Sequence, residues 1–187
     1  MQTGSLGRRI AIFGGGGKTA LASAIAKKFD LPHIELDAIK HGPGWVERPD
    51  DEFARIIEQR LDKSAEGWIT DANYQRVRPL ILARADTVVV IQLWFPVMFW
   101  RVLKRSIRRA WSGEPLWNGN KETWRMTFLS RESILLEIIG KRKRYANAGK
   151  IIARDTPPGT NFALIRGVRE LDDFYRMHGF ERSDNLP

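Results

Sequence analysis

The 187-residue sequence contains no cysteine and no long hydrophobic run. Without cysteine, the chain forms no disulfides and offers no thiolate metal ligands. Its most apolar stretch, Thr87–Trp100, is interrupted by Gln92 and Pro96 and is shorter than the roughly 20 residues that cross a bilayer. The segment Met1–Gly7 is small and polar and lacks the apolar core of a signal peptide. These absences predict a cytoplasmic protein that does not enter the membrane.

The positive charge is confined to one part of the chain. The net charge is +9, yet residues 96–154 carry 14 Lys or Arg against 4 Asp or Glu, a net of +10. The remainder carries 17 basic and 18 acidic residues, a net of −1. This distribution predicts an anionic partner for the basic segment, either nucleotide phosphates or a nucleic-acid backbone. A solvated helical face that serves only solubility is the alternative.

Short apolar segments alternate with amphipathic ones along the whole chain. This pattern predicts a parallel sheet with helices on both faces, a three-layer α/β/α fold. The five predicted strands are Arg9–Phe13, His33–Leu36, Trp68–Thr70, Thr87–Leu93 and Phe162–Ile165. The predicted helices are Lys18–Phe29, Asp50–Glu66, Pro79–Ala83, Pro96–Trp111, Thr123–Gly149 and Arg169–Met177. We expect one domain over 9–178, with a basic helical lid at about 101–150, a disordered 1–8 and a frayed 179–187.

A glycine-rich turn joins the first strand to the first helix. The run Gly14–Gly17 is followed by Lys18 and Thr19. In such a turn, backbone N–H groups and the helix dipole attract an anion. A lysine at this position reaches the β- and γ-phosphates of ATP, and a Ser or Thr hydroxyl binds Mg²⁺. The run therefore predicts a phosphate loop, or P-loop, for MgATP; the alternative is a flexible turn beside a surface lysine.

The spacing of this turn departs from the usual motif. Two residues separate Gly14 from Gly17, where the motif has four. Two missing residues remove roughly 7 Å of chain. Four consecutive glycines, with their wide backbone freedom, are one way to compensate; loss of ATP binding is the other outcome.

Several further segments, spread over about Arg9–Phe174, resemble a known family. They look like successive motifs of the adenylate kinase-like proteins called DNA topology modulation proteins. The segments are Leu31–Asp37, Pro43–Val46, Trp68–Tyr74 and Leu116–Glu122. Besides the shortened turn, Ala72 departs from the pattern, where the family leads us to expect glycine.

The resemblance implies a P-loop fold like that of nucleotide and shikimate kinases. It matches Lys18 and Thr19 to the phosphate-binding lysine and the metal-binding hydroxyl. It matches Asp37 to the acid where related kinases bind the acceptor, and the arginines after the fourth strand to the lid.

The residues themselves suggest further roles. Asp71 follows an apolar strand, where a carboxylate can orient Mg²⁺; a turn residue is the alternative. Asp37 can accept a proton from an acceptor hydroxyl, or simply cap a helix. Trp45 and Tyr74 are candidate walls of an acceptor pocket, although half-buried packing explains them equally well.

Three arginines recur at every fourth residue of the predicted lid helix, and so share one face. They are Arg101, Arg105 and Arg109, and Arg131 is expected to join them from the next helix. Arginines stabilise the charge of a transferring phosphoryl group. The run Lys141–Arg144 suits either a DNA backbone or a charged helix end.

Together these features favour an ATP-dependent kinase acting on a nucleotide or small-molecule acceptor. Lys18, Asp37, Arg105, Arg109 and Arg131 are the predicted catalytic residues, and Thr19 and Asp71 the predicted metal ligands. One alternative is a DNA-binding, topology-modulating protein on a degenerate P-loop fold, with weak or no ATP turnover. Another is a binding module that keeps nucleotide as a structural or regulatory ligand.

Overall fold

The computed structural model of the protein describes residues 5–71, 73–124 and 134–181. Five strands form one sheet in the order β2-β3-β1-β4-β5, and every neighbouring pair is parallel. This confirms the predicted sheet. The strands are β1 (Arg9–Gly15), β2 (His33–Ile34), β3 (Trp68–Asp71), β4 (Thr87–Gln92) and β5 (Asn161–Ile165).

Nine α-helices lie in the described parts of the chain. They are α1 (Lys18–Phe29), α2 (Leu36–Lys40), α3 (Asp50–Lys63), α4 (Arg78–Leu82), α5 (Phe95–Ser112), α6 (Ile134–Gly140), α7 (Arg142–Ala146), α8 (Ala148–Asp155) and α9 (Val168–Met177). Two short 3-10 turns, Pro43–Trp45 and Trp117–Gly119, complete the elements.

The middle residues of the central strands β1 and β4 are apolar because helices cover both of their faces. In β4, the residues Val88–Ile91 have no exposed surface. Alternate residues of β1 point to opposite sides: Ile10 and Ile12 pack with α1, α5, α6 and α9. Ala11 and Phe13 pack with α3, α4 and α8 on the other side. The chain therefore has the three-layer α/β/α arrangement predicted from its sequence.

The second strand is shorter than predicted. It ends at Ile34, and the polypeptide turns directly into α2 at Leu36. Asp37 consequently lies in the first turn of a helix, with Leu36 and Ile39 buried beneath it.

The predicted helix Thr123–Gly149 was also wrong where the structure describes it. Residues 134–155 form three short helices, α6 to α8, in place of one. The breaks fall at Lys141 (φ −90°, ψ 9°) and Asn147 (φ −110°, ψ 10°), whose ψ values do not continue a helix. Residues 125–133 of the predicted helix lie outside the described residues.

Parts of both predicted ends of the chain are packed. The amide of Gly7 donates to Thr87 Oγ1 at 3.0 Å. Phe180 is buried, with its ring 6.2 Å from those of Phe29 and Phe174. The rest of the predicted disordered and frayed segments, 1–4 and 182–187, lies outside the described residues. In the described parts of the chain, no helix is both long and apolar enough to cross a membrane.

Candidate active site

The glycine turn is as short in the structure as in the sequence. Strand β1 runs through Gly15 and helix α1 begins at Lys18, so only Gly16 and Gly17 lie between them. Their φ angles are +78° and +153°, a region that favours glycine. No side chain caps α1 at Gly17. The amide groups of the first helical turn therefore keep their capacity to bind an anion.

Helix α5 packs closely against the outside of this turn. A Cβ atom on Gly15 would lie 2.4 Å from Met98 Sδ, so a side chain at this position would require Met98 to move. One turn later in α5, Arg101 donates from Nη1 to the carbonyl of Gly16 at 2.9 Å. On the sheet side, Asn73 and Gly14 exchange two hydrogen bonds of 2.9 and 3.2 Å. The short turn is thus fixed from two sides.

A cleft of about 560 Å³ opens at the carboxyl ends of the strands. This is where α/β sheets of this kind bind their ligands. Nearly all the predicted site residues that the structure describes line it: Gly14, Gly15, Gly16, Lys18, Thr19, Asp37, Asp71, Arg105 and Arg109. Gly17 is the exception among them. Arg131 lies outside the described residues.

Thr19 and Asp71 meet at the floor of the cleft. The hydroxyl of Thr19 donates to Asp71 Oδ2 at 2.6 Å, while Asp71 Oδ1 is buried without a hydrogen-bond partner among the described residues. Burial by itself raises the pKa of Asp71. The nearby imidazole of His33, the charge of Lys18 and the Thr19 hydroxyl outweigh burial, so the pKa is lowered overall. Asp71 is therefore a buried, ionised carboxylate whose Oδ1 has His33 Nε2 3.8 Å away but no hydrogen-bond partner among the described residues.

Lys18 and Arg105 place two cations beside this carboxylate. Burial lowers the pKa of Lys18 below its ordinary value of 10.5, although Asp71 and Asp37 oppose the shift. Burial and neighbouring Arg109 lower the pKa of Arg105. Neither cation forms an ion pair with a carboxylate of the described residues, and Arg105 Nε is buried without a hydrogen-bond partner there. A bound anion would offset the free-energy cost of burying each of these two cations without a partner.

The other cations of the cleft already have partners, with one exception. Arg109 bonds Glu122 at 3.1 Å, Arg78 bonds Asp155 at 2.9 Å, and Lys141 pairs with Glu137. Arg144 is the exception: it lines the cleft and forms no ion pair with a described residue. The predicted catalytic Arg109 is thus in place, but its charge is neutralised by Glu122.

At the far end of the cleft, Asp37 belongs to a hydrogen-bonded group. Tyr74 donates its hydroxyl to Asp37 Oδ1 at 2.6 Å, and the same hydroxyl lies 3.4 Å from His41 Nε2. Burial, followed by the charge of Asp37 and its hydrogen bond, strongly raises the pKa of Tyr74. The hydroxyl therefore remains a proton donor, and Asp37 is held in one orientation.

Two interlocked loops wall this end. The loop around Trp45 lies against the loop around Trp117, joined by hydrogen bonds between Trp45 N and Asn120 Oδ1 (3.0 Å) and between Asn120 Nδ2 and the carbonyl of Gly42 (2.9 Å). Trp117 Nε1 donates to Glu35 Oε2 at 2.7 Å. We call the resulting region the far end; it comprises Glu35, Asp37, His41, Trp45, Glu47, Tyr74 and Trp117. The glycine-turn end comprises Gly14–Gly16, Lys18, Thr19, Asp71, Arg105 and Tyr145.

Sequence reasoning missed several residues that line the cleft. It treated Lys141–Arg144 as a DNA contact or a helix end, whereas Lys141 and Arg144 line the cleft together with Tyr145. It assigned no role to Glu122 or Trp117. The high net charge of the segment was the available signal for Arg144, but the sequence carries no comparable signal for the pairing of Arg109 with Glu122.

Comparison with known proteins identifies the fold. No protein-family model matches the sequence, and no match is found among curated proteins. Among solved structures, a sugar kinase from Janibacter sp. HTCC2649 is similar, with a TM-score of 0.52, 17% identity, and coverage of 92% of this chain and 93% of that one. A gluconokinase from Sinorhizobium meliloti 1021 gives a TM-score of 0.49 at 17% identity, covering 91% of this chain and 87% of that one.

The TM-score of the gluconokinase, 0.49, is too low to support a conclusion about this chain. The sugar kinase, together with the sheet order and the glycine turn, shows that the chain has a kinase-like P-loop fold. At 17% identity the likeness shows the fold alone. The resemblance to DNA topology modulation proteins stays a prediction.

Proposed function

We propose that the protein is an ATP-dependent phosphotransferase acting on a nucleotide or small-molecule acceptor. The observation that carries the proposal is the pair Lys18 and Arg105. Both are cations that line the cleft, Lys18 at the uncapped start of α1 and Arg105 on α5, and neither forms an ion pair with a carboxylate among the described residues. Unpaired, desolvated cations beside free amide groups are what phosphate groups require.

The residues of the glycine-turn end fit the phosphates of ATP. The amides at the start of α1 and the ammonium of Lys18 would hold the β- and γ-phosphates, and Arg105 and Arg144 would face the group being transferred. Because the turn is two residues shorter than usual, it offers fewer amides around the phosphate. We therefore expect these side-chain cations to contribute a larger share of the binding.

Mg²⁺ fits the neighbouring oxygen pair. Thr19 and Asp71 supply a hydroxyl and an ionised carboxylate, and Asp71 Oδ1 has no hydrogen-bond partner among the described residues. In the described parts of the chain, no three His, Cys, Asp or Glu residues cluster as a metal site. Mg²⁺ usually takes one or two protein oxygens and completes its shell with substrate phosphates and water. When bound, it would neutralise phosphate charge.

Asp37 would serve the acceptor. In the transfer, the acceptor oxygen bonds to the γ-phosphorus, while the bond from that phosphorus to the β,γ-bridging oxygen breaks. ADP leaves with the electron pair, and the acceptor's proton passes to Asp37. The hydrogen bond from Tyr74 holds Asp37 in place for this step.

Calorimetric titration with MgATP tests the proposal. Wild-type protein should bind MgATP, and Lys18→Ala should weaken binding by about 100-fold, since a charge-assisted contact contributes up to about 3 kcal/mol. Lys27→Ala is the matched control, because Lys27 lies on the same helix with its side chain 76% exposed. No detectable binding at millimolar MgATP would overturn the proposal. Tight binding without turnover across an acceptor panel would instead indicate a nucleotide-binding module.

A second candidate function is nucleic-acid binding. Helix α5 exposes Trp100, Lys104 and Trp111 on its outer face, with Lys104 Nζ 5.5 Å from the centre of the Trp100 ring. Cations contact a phosphate backbone and aromatic rings stack on bases. Fluorescence anisotropy with a labelled duplex and a single strand tests this candidate. Nucleic-acid binding requires an affinity that falls steeply with rising salt concentration and that is lower in Lys104→Ala than in wild-type protein. Binding that is absent or independent of salt excludes this candidate.

A further inference from the structure

We infer that the acceptor is a hydroxyl compound that is cationic or uncharged at the group seated in the far end of the cleft, and not a carboxylate or a nucleotide. This inference rests on the proposed phosphotransferase function and narrows its substrate class. It follows from which charges lack a partner at each end of the cleft.

The carboxylates of the far end are bonded to neutral donors. Asp37 accepts from the Tyr74 hydroxyl at 2.6 Å, and Glu35 accepts from Trp117 Nε1 at 2.7 Å. Neither forms an ion pair with a Lys or Arg among the described residues; the imidazole of His33 lies 3.9 Å from Glu35. Their negative charges are thus held in place without a contact ion pair to Lys or Arg, although Lys18 and Arg105 act on Asp37 through space.

Glu47 adds a third carboxylate at the rim. Its nearest cation, Lys40, lies 3.5 Å away but is 2.8 Å from Asp50, and it also donates to the carbonyl of Arg48. Lys40 is nearly buried and does not line the cleft. One cation is therefore shared between two carboxylates, so the net charge of this group is also negative.

The cations that line the cleft are either paired or assigned to phosphate by the proposed function. Arg78, Arg109 and Lys141 each pair with a carboxylate: Asp155, Glu122 and Glu137. Lys18, Arg105 and Arg144 are the cations that the proposed function assigns to the phosphates of ATP, so bound nucleotide would occupy them. An anionic acceptor would therefore meet repulsion, whereas a cation would gain a partner.

Two further observations indicate that the cleft as a whole is built to hold a ligand. The walls of the far end are aromatic: the rings of His41 and Trp45 are 5.6 Å apart, and Trp117 lies on the interlocked loop. Flat rings pack against a sugar-like ring and attract cations. At the glycine-turn end, Asp71 lines the cleft and is more than nine-tenths buried, and its Oδ1 has no hydrogen-bond partner among the described residues.

The acceptor charge is tested with three sugars that differ mainly in charge: glucosamine, glucose and glucuronate. AMP is a fourth probe. Calorimetry measures the affinity of each probe for the protein, both free and saturated with MgATP, and ADP release measures turnover. We expect glucosamine to bind best, glucose next, and glucuronate and AMP at least about tenfold more weakly than glucosamine. Equal or tighter binding of glucuronate or AMP, or binding of none of the four, overturns the inference.

Charge removal supplies the second arm. Glu35→Gln together with Glu47→Gln should lower the preference for glucosamine over glucuronate by about fivefold or more, the effect of a partly exposed charge pair. Glu66→Gln is the control, because Glu66 is exposed and does not line the cleft. An unchanged preference in the double variant contradicts the inference. Failure of the proposed function would be distinct: MgATP binding would be absent while the free protein still ranked the four probes by charge.

Discussion

The two ends of the cleft differ in the charges they leave without a partner. At the glycine-turn end, Lys18 and Arg105 lack carboxylate partners among the described residues. At the far end, Asp37 accepts from a hydroxyl and Glu35 from an indole N–H, and neither forms an ion pair with Lys or Arg among the described residues. A folded protein normally pairs its buried charges, because an unpaired one costs free energy. The contrast therefore indicates two ligand groups of different charge, a phosphate chain at one end and a neutral or cationic acceptor at the other.

The largest expected effect comes from removing Arg105, one of the two cations at the glycine-turn end that lack an ion pair among the described residues. Arg105→Ala should lower MgATP affinity, or kcat/KM, by about 100-fold, because it deletes a charge-assisted contact in a partly desolvated site. Calorimetry and ATP consumption measure the change. Arg108→Ala is the neighbouring control, since Arg108 is exposed and does not line the cleft. If Arg105→Ala and Arg108→Ala lowered MgATP affinity by the same small factor, Arg105 would not bind phosphate, and the proposed charge difference between the two ends would be wrong.

Thr19→Val should lower kcat/KM by about thirtyfold, a smaller effect than that of Arg105→Ala. The change keeps the side-chain volume but removes the hydroxyl that donates to Asp71 at 2.6 Å. A hydrogen bond to a charged group contributes about 1.5–3 kcal/mol. Steady-state kinetics over a range of Mg²⁺ concentrations tests this, with Thr19→Ser expected to recover activity. If Thr19→Val retained the same kcat/KM as Thr19→Ser, the Thr19 hydroxyl and its hydrogen bond to Asp71 would have no part in the reaction.

How far the sequence predicted this site depends on the range of the contacts involved. The glycine turn, Lys18 and the buried strand β4 were predicted because local spacing and apolar runs encode them. Asp37 was placed at a strand end and lies in the first turn of α2, since a two-residue strand has almost no sequence signal. Partners distant in sequence, such as Arg109 and Glu122 or Trp117 and Glu35, depend on how the lid folds back. No rule of residue spacing predicts these pairings from the sequence.

Tyr74→Phe sharpens the comparison from the far end. It deletes the donor to Asp37 without emptying the space, and should lower kcat/KM for an acceptor about tenfold. The KM for ATP should stay unchanged, because the hydrogen bonds of Tyr74 among the described residues go to Asp37 and His41 and not to the glycine turn. Kinetics with each substrate varied in turn separate the two effects. A rise in the KM for ATP as large as the acceptor effect would mean that the two ends are not independent.

The smallest expected effect is at Arg101, which holds the turn from outside. Arg101→Met removes the 2.9 Å hydrogen bond to the carbonyl of Gly16, so the KM for ATP should rise about fivefold, consistent with about 1 kcal/mol for one hydrogen bond. Since Arg101 positions the turn and does not line the cleft, kcat should change little, and Arg101→Lys should restore part of the affinity. A loss confined to kcat would contradict this role.

The most direct test is amide hydrogen exchange with and without MgATP. We predict slower exchange across Gly14–Leu21 on addition of MgATP, because the amides of the short turn and the first turn of α1 would bind phosphate. Exchange in β5, the strand at one edge of the sheet, should be unchanged. If calorimetry detected MgATP binding while exchange at Gly14–Leu21 stayed the same, phosphate would be binding elsewhere and the account of the cleft would be wrong.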